Sequence, residues 1–176
     1  MNFIGKVTDE DVGEKIKEIN MPKKRRAVRA ILINEKGEIA LLNKAKKNEY
    51  KLVGGGVDEG ETLEKALERE ILEETGCEIK VIESLGYIEE ERTRDNFTQT
   101  SYIYISKVIN DTKVLHLTKE EKEEGAKLCW YKKEDALNKI SESYTKLIPS
   151  KYSDLYNTKF VIKRDEKILK YYIKNI

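Results

Sequence analysis

The segment TLEKALEREILEETG, residues 62–76, constrains the fold more than any other part of the chain. It consists almost entirely of good helix formers and ends at Gly76, the usual position of a C-terminal stop. On a helical wheel Glu70, Glu73 and Glu74 fall on one side, where they continue the apolar stripe of the helix. We therefore expect a helix that directs three carboxylates toward the body of the protein.

Three partly desolvated carboxylates repel one another, and their pKa values rise unless a strong positive charge lies among them. A hard divalent cation supplies that charge, and oxygen ligands with no cysteine or histidine nearby favour magnesium or manganese. The alternative is a salt-bridge network centred on Arg69. Residues 21–29 and the last thirty residues are basic, whereas residues 58–91 and 119–124 are acidic. That arrangement is compatible with a metal centre that attracts a phosphorylated ligand, and equally with a solvated surface.

Three glycines, residues 54–56, stand directly before this helix and let the backbone turn sharply close to a ligand or metal. Two phosphate-binding motifs do not fit them. A dinucleotide-binding fingerprint that starts at Gly54 would need glycine at position 59, which is Glu59, and the Gly-Lys-Ser/Thr ending of a P-loop is absent. Because the loop is acidic, we expect any phosphate contact there to be mediated by the metal.

The remaining chain reads as strands joined mainly by hairpins, with few helices. We expect a mixed α/β fold, that is, α+β with a mixed sheet packed between helices, rather than a doubly wound parallel sheet. The expected elements are a hairpin within 26–43, a strand at 50–53, long strands at 79–91 and 97–109, a last strand at 127–131, and helices at about 133–141 and from about Asp165.

A chain of 176 residues suits one domain, expected to span 1–176, with residues 142–176 forming a helical tail packed on it. The formal charge of +1 gives no reason to expect nucleic acid or a membrane as partner. Cys77 and Cys129 lack metal-site spacing and have apolar neighbours, which indicates buried thiols in a reducing compartment. With no signal-peptide pattern and no apolar stretch of roughly 18 residues, we expect a cytoplasmic protein.

Residues 55–77 reproduce a spaced pattern of fixed positions, G-x5-E-x7-R-E-U-x-E-E-x-G-U, where U is a bulky apolar residue. The pattern resembles the Nudix box, the signature of the Nudix hydrolases, and Cys77 is its only loose fit. Val53 stands where the family commonly has proline. The positions that match are Gly55, Glu61, Arg69, Glu70, Ile71, Glu73, Glu74, Gly76 and Cys77.

The resemblance implies a Nudix-type sandwich of a mixed sheet between helices and a reaction, the magnesium-dependent hydrolysis of a diphosphate linkage in a nucleotide derivative. Manganese is a possible substitute. It also implies that Glu61 and Arg69 pair to brace the loop against the helix. The implied metal ligands are Gly55, through its carbonyl, with Glu70, Glu73 and Glu74.

A general base beyond the box is expected among the acids before Trp130, and of these Glu121 or Glu124 is favoured over Glu120 and Glu123. Residues 89–91 are a weaker alternative. His116, the single histidine, stands in an apolar run and is interpreted as a packing residue rather than a base. The aromatic side chains that could stack on a nucleobase, but that more often belong to a core, are Tyr50, Tyr87, Phe97, Tyr102, Tyr104 and Trp130.

The sequence therefore predicts a magnesium-dependent pyrophosphohydrolase with Glu70, Glu73, Glu74, Arg69, Glu121 and Glu124 as catalytic residues. Its partner is a nucleotide or a small molecule linked to a nucleoside diphosphate, and a homodimer is left open. One alternative is a nucleotide-binding regulator of the same fold without turnover. Another is a more specific activity, that of an ADP-ribose or nucleotide-sugar pyrophosphatase.

Overall fold

A seven-stranded mixed sheet forms the centre of the computed structural model, which describes residues 1–176. Strands β1 and β5 are parallel, as are β2 and β6, and the other pairs are antiparallel. The strand order is β1-β5-β6-β2-β3-β4, with β7 paired to β3. The strands are β1 (Phe3–Val7), β2 (Lys23–Ile33), β3 (Ile39–Lys44), β4 (Glu49–Leu52), β5 (Cys77–Arg92), β6 (Phe97–Asp111) and β7 (Ala126–Tyr131).

Helices cover both faces of this sheet. On one face α1 buries Ala66, Leu67 and Ile71 in a core that also holds Val28 and Leu32 of β2. The other face carries α3 and α4 over a second core. The mixed sheet between helices confirms the predicted fold class. The helices are α1 (Leu63–Thr75), α2 (Lys119–Glu123), α3 (Lys133–Ser143) and α4 (Leu155–Asn175).

The predicted hairpin within 26–43 is present, the two predicted long strands form a second one, and polar turn residues explain both. Asn34 directly follows β2, and its side-chain oxygen accepts from the backbone N–H groups of Lys36 and Glu38. Residues 93–96 join β5 to β6, and Asn96 adopts a left-handed conformation with φ of 47°. Such turns are local, which is why the sequence indicates them.

Helix α4 begins at Leu155, ten residues before the predicted start at Asp165, so that prediction was wrong. Asp154 caps the helix by accepting from the backbone N–H of Asn157 at 2.9 Å. The first turns are rich in β-branched and aromatic residues with modest helix propensity. They are helical because Phe160 and Ile162 are fully buried in the core, and tertiary packing outweighs propensity.

Strand β1 was not predicted, because its five residues pair only with the distant β5. Both cysteines are free thiols, Cys77 buried and Cys129 partly exposed. None of the helices combines the length and the apolar character needed to span a membrane.

Candidate active site

The glycine loop follows β4 and lies against β2. The backbone N–H of Val28 donates to the Gly55 carbonyl at 2.9 Å, and the N–H of Ala30 donates to the Val53 carbonyl at 3.0 Å. Gly54 has φ of +123°, and a Cβ there would collide with the Val28 carbonyl. A residue with a side chain would therefore be excluded at position 54 both by conformation and by space.

Arg69 connects this loop to helix α1. Its Nε and Nη2 atoms donate to the two carboxylate oxygens of Glu61 at 2.9 and 2.8 Å, and Nη2 also donates to the Gly56 carbonyl at 3.1 Å. The pairing of Glu61 with Arg69 that the resemblance implies is thus present. The hydrogen bonds from Arg69 lower the pKa of the Glu61 carboxyl to about 2.

Because the resemblance implies that Glu70, which Arg69 contacts, is a metal ligand, replacing Arg69 with lysine is expected to lower kcat/KM by about 10- to 100-fold, the usual loss when a group that supports such a ligand is removed. Lysine keeps the charge but has no planar fork, so it cannot hold both Glu61 oxygens and the Gly56 carbonyl together. Steady-state kinetics on Arg69→Lys, with Lys65→Arg on the same helix as a control, would measure the loss. Unchanged kcat/KM in Arg69→Lys would contradict the bracing role.

The three glutamates of the helix differ in environment. Glu74 is 3% exposed; it accepts from Lys51 Nζ at 2.8 Å and from the Gly54 N–H at 2.7 Å. Burial raises the pKa of its carboxyl, although the Lys51 charge opposes that shift. The Glu70 side chain is 17% exposed and accepts from Arg69 Nη1 at 2.8 Å. Glu73 is half-buried, with a side chain that is 44% exposed, so all three carboxylates are partly desolvated as expected and Glu73 is the least so.

A cavity of about 430 Å³ lies beside the glycine loop. Of the predicted site residues, Gly55, Glu70, Glu74 and Glu121 line it, while Glu73, Arg69 and Glu124 do not. Tyr152 and Val161 are its only aromatic or apolar wall residues. The charged wall residues are the basic Arg25, Arg29, Lys44, Lys51, Arg92 and Arg164, and the acidic Glu49, Glu70, Glu74, Glu120 and Glu121. A cavity with so many charges suits a phosphorylated ligand better than an uncharged one.

The candidate bases beyond the box fall into two groups. Glu120 and Glu121 line the cavity, and Glu121 accepts from the Thr118 backbone N–H at 2.9 Å in a capping box of α2. Although burial opposes its ionisation, this hydrogen bond helps to lower the pKa of Glu121. Glu124 is buried outside the cavity wall and pairs with Lys44 Nζ at 2.7 Å. Glu123 is bound to Tyr152, whose hydroxyl donates at 2.6 Å.

His116 is solvent-exposed, so its interpretation as a packing residue was wrong. The apolar run around it is an irregular segment. A backbone hydrogen bond ties it to α1, because the His116 N–H donates to the Glu73 carbonyl at 2.7 Å. None of the six aromatic residues considered for stacking lines the cavity, and Tyr104 is buried in the core under α1.

Sequence reasoning missed the basic residues of the cavity wall. Arg29 interrupts the apolar strand sequence AVRAILI, and Arg164 lies four residues before Ile168 on the buried side of α4. A charge within a buried apolar face is the signal that could have identified both, because such charges are rare unless they are paired or functional.

The donor chemistry of the wall fits a hard divalent cation. Its acids offer oxygen atoms alone, and no cysteine or histidine lines the cavity. A Cβ at Gly55 would collide with the Glu70 carboxylate, so glycine leaves room for that group beside the loop. No three acidic side chains converge into a ready ligand cluster. Glu70 and Glu74 are instead paired with Arg69 and Lys51, which a cation would have to displace.

The predicted ligand Gly55 already has two donors at its carbonyl. Besides the Val28 N–H, Arg29 Nη1 donates to this oxygen at 3.2 Å. Burial lowers the pKa of Arg29 to about 10, and the neighbouring Arg164 charge adds to the shift. The carbonyl could therefore join a metal ligand set only by giving up the Arg29 hydrogen bond.

A family model described as the NUDIX domain matches residues 23–150. Solved structures share the fold. A MutT protein from Methanosarcina mazei Go1 is 23% identical, with a TM-score of 0.53 and coverage of 86% of this chain and 99% of that one. A NUDIX hydrolase from Nitrosomonas europaea is 17% identical, with a TM-score of 0.58 and coverage of 86% and 90%. A UDP-X diphosphatase is 16% identical, with a TM-score of 0.54 and coverage of 91% and 67%.

The family match covers well over half of the chain and includes the whole box at residues 55–77. The loop, the braced helix and the mixed sheet between helices agree with it. The chain therefore belongs to the NUDIX domain family, as its box predicted, and it is a Nudix hydrolase.

Proposed function

We propose that this Nudix hydrolase is a magnesium-dependent pyrophosphohydrolase that cleaves the diphosphate linkage of a nucleoside triphosphate or of another nucleoside diphosphate derivative. One observation carries the proposal: the cavity brings Glu70 and Glu74 of the box together with a wall of basic side chains. The acids suit a divalent cation and the basic side chains suit phosphate oxygens.

Glu70, Glu73 and Glu74 would hold the metal, with manganese as a possible substitute for magnesium, and Gly55 would join them only after losing its Arg29 contact. When bound, the metal neutralises the diphosphate and lowers the pKa of an attacking water. Glu74 is held in place by the Gly54 N–H, and Glu70 by Arg69. The Gly54 contact can remain when a cation displaces Lys51 from Glu74, whereas the Arg69 contact holds Glu70 only until a cation replaces it.

The chain's own groups would complete the reaction. Glu121 faces the cavity and would accept the proton of the attacking water, since carboxylates serve as general bases when they lie within reach. Lys51 would bind phosphate oxygens from the cavity wall. Glu124 would act as a positioning residue, because its ion pair holds Lys44, which lines the same cavity.

The fold likeness to a UDP-X diphosphatase supports cleavage of a nucleoside diphosphate derivative as an activity that this architecture can host. ADP-ribose and nucleotide sugars therefore belong in the substrate panel beside nucleoside triphosphates, oxidised triphosphates and dinucleoside polyphosphates. We expect turnover of at least one class with magnesium and its loss in EDTA. Binding of these compounds without turnover of any would instead favour the nucleotide-binding regulator.

Magnesium is also expected to stabilise the folded protein. A ligand at 100 times its dissociation constant adds about 2.7 kcal/mol to the free energy of unfolding when it binds the native state alone. Thermal melts with increasing magnesium should therefore show a rising Tm in the wild type. The double variant Glu70→Gln, Glu74→Gln should show no rise. An acidic helix with a purely structural role predicts no magnesium effect in either protein.

A further inference from the structure

Four arginines form one wall of the cavity, and we refer to Arg25, Arg29, Arg92 and Arg164 as the arginine cluster. Arg25 and Arg29 share one face of β2, Arg92 ends β5, and Arg164 comes from α4. Helix α4 lies beyond residues 23–150, the part of the chain that matches the family. This wall is therefore partly built by a segment that the shared domain does not include.

Two members of the arginine cluster are buried with unused donors. Arg164 is 1% exposed; its Nε donates to Asp165 at 2.7 Å and its Nη1 to Glu90 at 3.3 Å, while Nη2 has no partner. Arg29 is 5% exposed and donates through Nη1 to backbone carbonyls, while Nε has no partner. Buried donors without partners cost free energy, and such groups are few in folded proteins.

The arginine cluster also carries more positive charge than its contacts neutralise. Only two carboxylates pair with it, Glu90 with Arg92 and Arg164, and Asp165 with Arg164. The other side-chain partners, Gln99 for Arg25 and Asn157 for Arg92, are neutral amides. Ion pairing therefore leaves about two of the four positive charges without a carboxylate partner, and Glu70 and Glu74, the proposed metal ligands, act on Arg25 and Arg29 only through space. Part of this surplus lies on the buried Arg29, which forms no ion pair, and a buried charge of that kind is unfavourable unless an anion offsets it.

We propose that the arginine cluster binds a phosphoryl group that the substrate carries in addition to the diphosphate cleaved at the box. This proposal rests on the proposed function, because it places the reacting diphosphate at Glu70 and Glu74 in the same cavity. The substrate class is then a nucleotide derivative with at least three phosphoryl groups, the third being either the end of a polyphosphate chain or a monoester on a sugar.

The chemistry of the wall selects a phosphoryl group over other substituents. A phosphate monoester carries about 1.5 to 2 negative charges at pH 7, which matches the surplus of the arginine cluster. Planar guanidinium groups bind phosphate oxygens in pairs. A nucleobase would need an apolar or aromatic surface, and Tyr152 is the only aromatic side chain in the cavity wall. Its hydroxyl is already bound to Glu123.

Substrate pairs that differ by one phosphoryl group test the proposal through activity. We expect kcat/KM to be about 10- to 100-fold higher for ATP than for ADP, or for 2′-phosphorylated ADP-ribose than for ADP-ribose, as expected for hydrogen bonds to a charged group. A preference for ATP over ADP would place the third phosphoryl group on the polyphosphate chain. A preference for 2′-phosphorylated ADP-ribose over ADP-ribose would place it on the sugar. Arg25→Gln should reduce whichever preference exists by about 10-fold. Equal kcat/KM within both pairs would overturn the proposal.

Arg25→Gln is the preferred variant because Arg25 is solvent-exposed and its loss leaves the buried pairs of Arg164 intact. Arg29→Gln, at a position whose side chain bonds only to backbone carbonyls, is the second variant. The matched control is Arg26→Gln, which removes the same charge from the opposite face of the same strand. Arg26 does not line the cavity, so this variant should keep the preference of the wild type.

Binding of inorganic tripolyphosphate in EDTA separates this proposal from the proposed function. We expect titration calorimetry to show binding to the metal-free wild type and to Arg26→Gln, with affinity reduced at least 10-fold in Arg25→Gln and Arg29→Gln. If no substrate is hydrolysed but this pattern is found, the proposed function fails and the phosphoryl site stands. If hydrolysis occurs but all four proteins bind equally weakly, the phosphoryl site is wrong and the proposed function stands.

Discussion

Replacing Glu74 with glutamine is expected to lower kcat/KM by about three orders of magnitude. Without the charge that the metal supplies, the transition state loses several kcal/mol of stabilisation. A loss of about 4 kcal/mol corresponds to a roughly 10³-fold lower rate. Glutamine can keep the hydrogen bond from the Gly54 N–H, but it has no charge to offer a metal or Lys51. The measurement is steady-state turnover of the best substrate with saturating magnesium.

The matched control is Glu68→Gln, which makes the same change on the solvent-exposed side of α1, where Glu68 has no ion pair. Its kcat/KM should equal that of the wild type. Circular dichroism should show that Glu74→Gln is folded. A folded Glu74→Gln protein with more than a tenth of wild-type kcat/KM would contradict the assignment of Glu74 to the metal.

Replacing Glu90 with glutamine is expected to have the largest effect on stability. Glu90 is 1% exposed; it pairs with Arg92 at 2.7 Å and with Arg164 at 3.3 Å, and it accepts from Gln99 at 2.6 Å. Removing one partner of a buried ion pair leaves an uncompensated charge and costs about 3–5 kcal/mol. In a protein of this size that loss lowers Tm by roughly 10 °C.

Glu89→Gln is the control for this change, because Glu89 directly precedes Glu90 on β5, points to the opposite face of the sheet and forms no ion pair. Its free energy of unfolding should stay within about 0.5 kcal/mol of the wild type, as for most surface substitutions. Denaturant unfolding of the three proteins would measure both effects. Equal stability of Glu90→Gln and the wild type would show that the buried network contributes nothing to the fold.

The lowered pKa of the Glu90 carboxyl predicts how the free energy of unfolding depends on pH. Burial opposes the ionisation of Glu90, but Arg164 and Arg92 outweigh it and hold its pKa below the ordinary value of 4.5. A depressed pKa in the folded state contributes stability above pH 4.5, which is lost as pH falls through the lower folded value. Between pH 5 and pH 3 the wild type should therefore lose more unfolding free energy than Glu90→Gln, because the variant has no carboxyl to protonate.

The parts of the fold that the sequence predicts are those determined by neighbouring residues. Helix α1 follows from its helix formers between Thr62, which caps it, and Gly76, whose φ of 71° allows the stop. The brace between Glu61 and Arg69 lies within the box, and the resemblance to the Nudix signature implied it. Local residues also determine the β5–β6 hairpin, which turns at Asn96.

The parts that the sequence does not predict depend on contacts between distant segments. Strand β1 exists because it pairs with β5, and α4 starts early because Phe160 is buried in the core. The arginine cluster draws on β2, β5 and α4, and no local pattern shows that these elements meet. A helical wheel places Glu73 beside Glu70 and Glu74 but cannot show that it lies outside the cavity wall and is the most exposed of the three.

The measurement that tests the central claim most directly is identification of the bond that breaks. Phosphorus NMR of the best substrate with wild-type protein and magnesium should show anhydride signals replaced by those of a monoester, or of a monoester with pyrophosphate. EDTA should stop the change. Release of orthophosphate from a phosphate monoester with the anhydride left intact, or cleavage that continues in EDTA, would contradict a metal-dependent pyrophosphohydrolase.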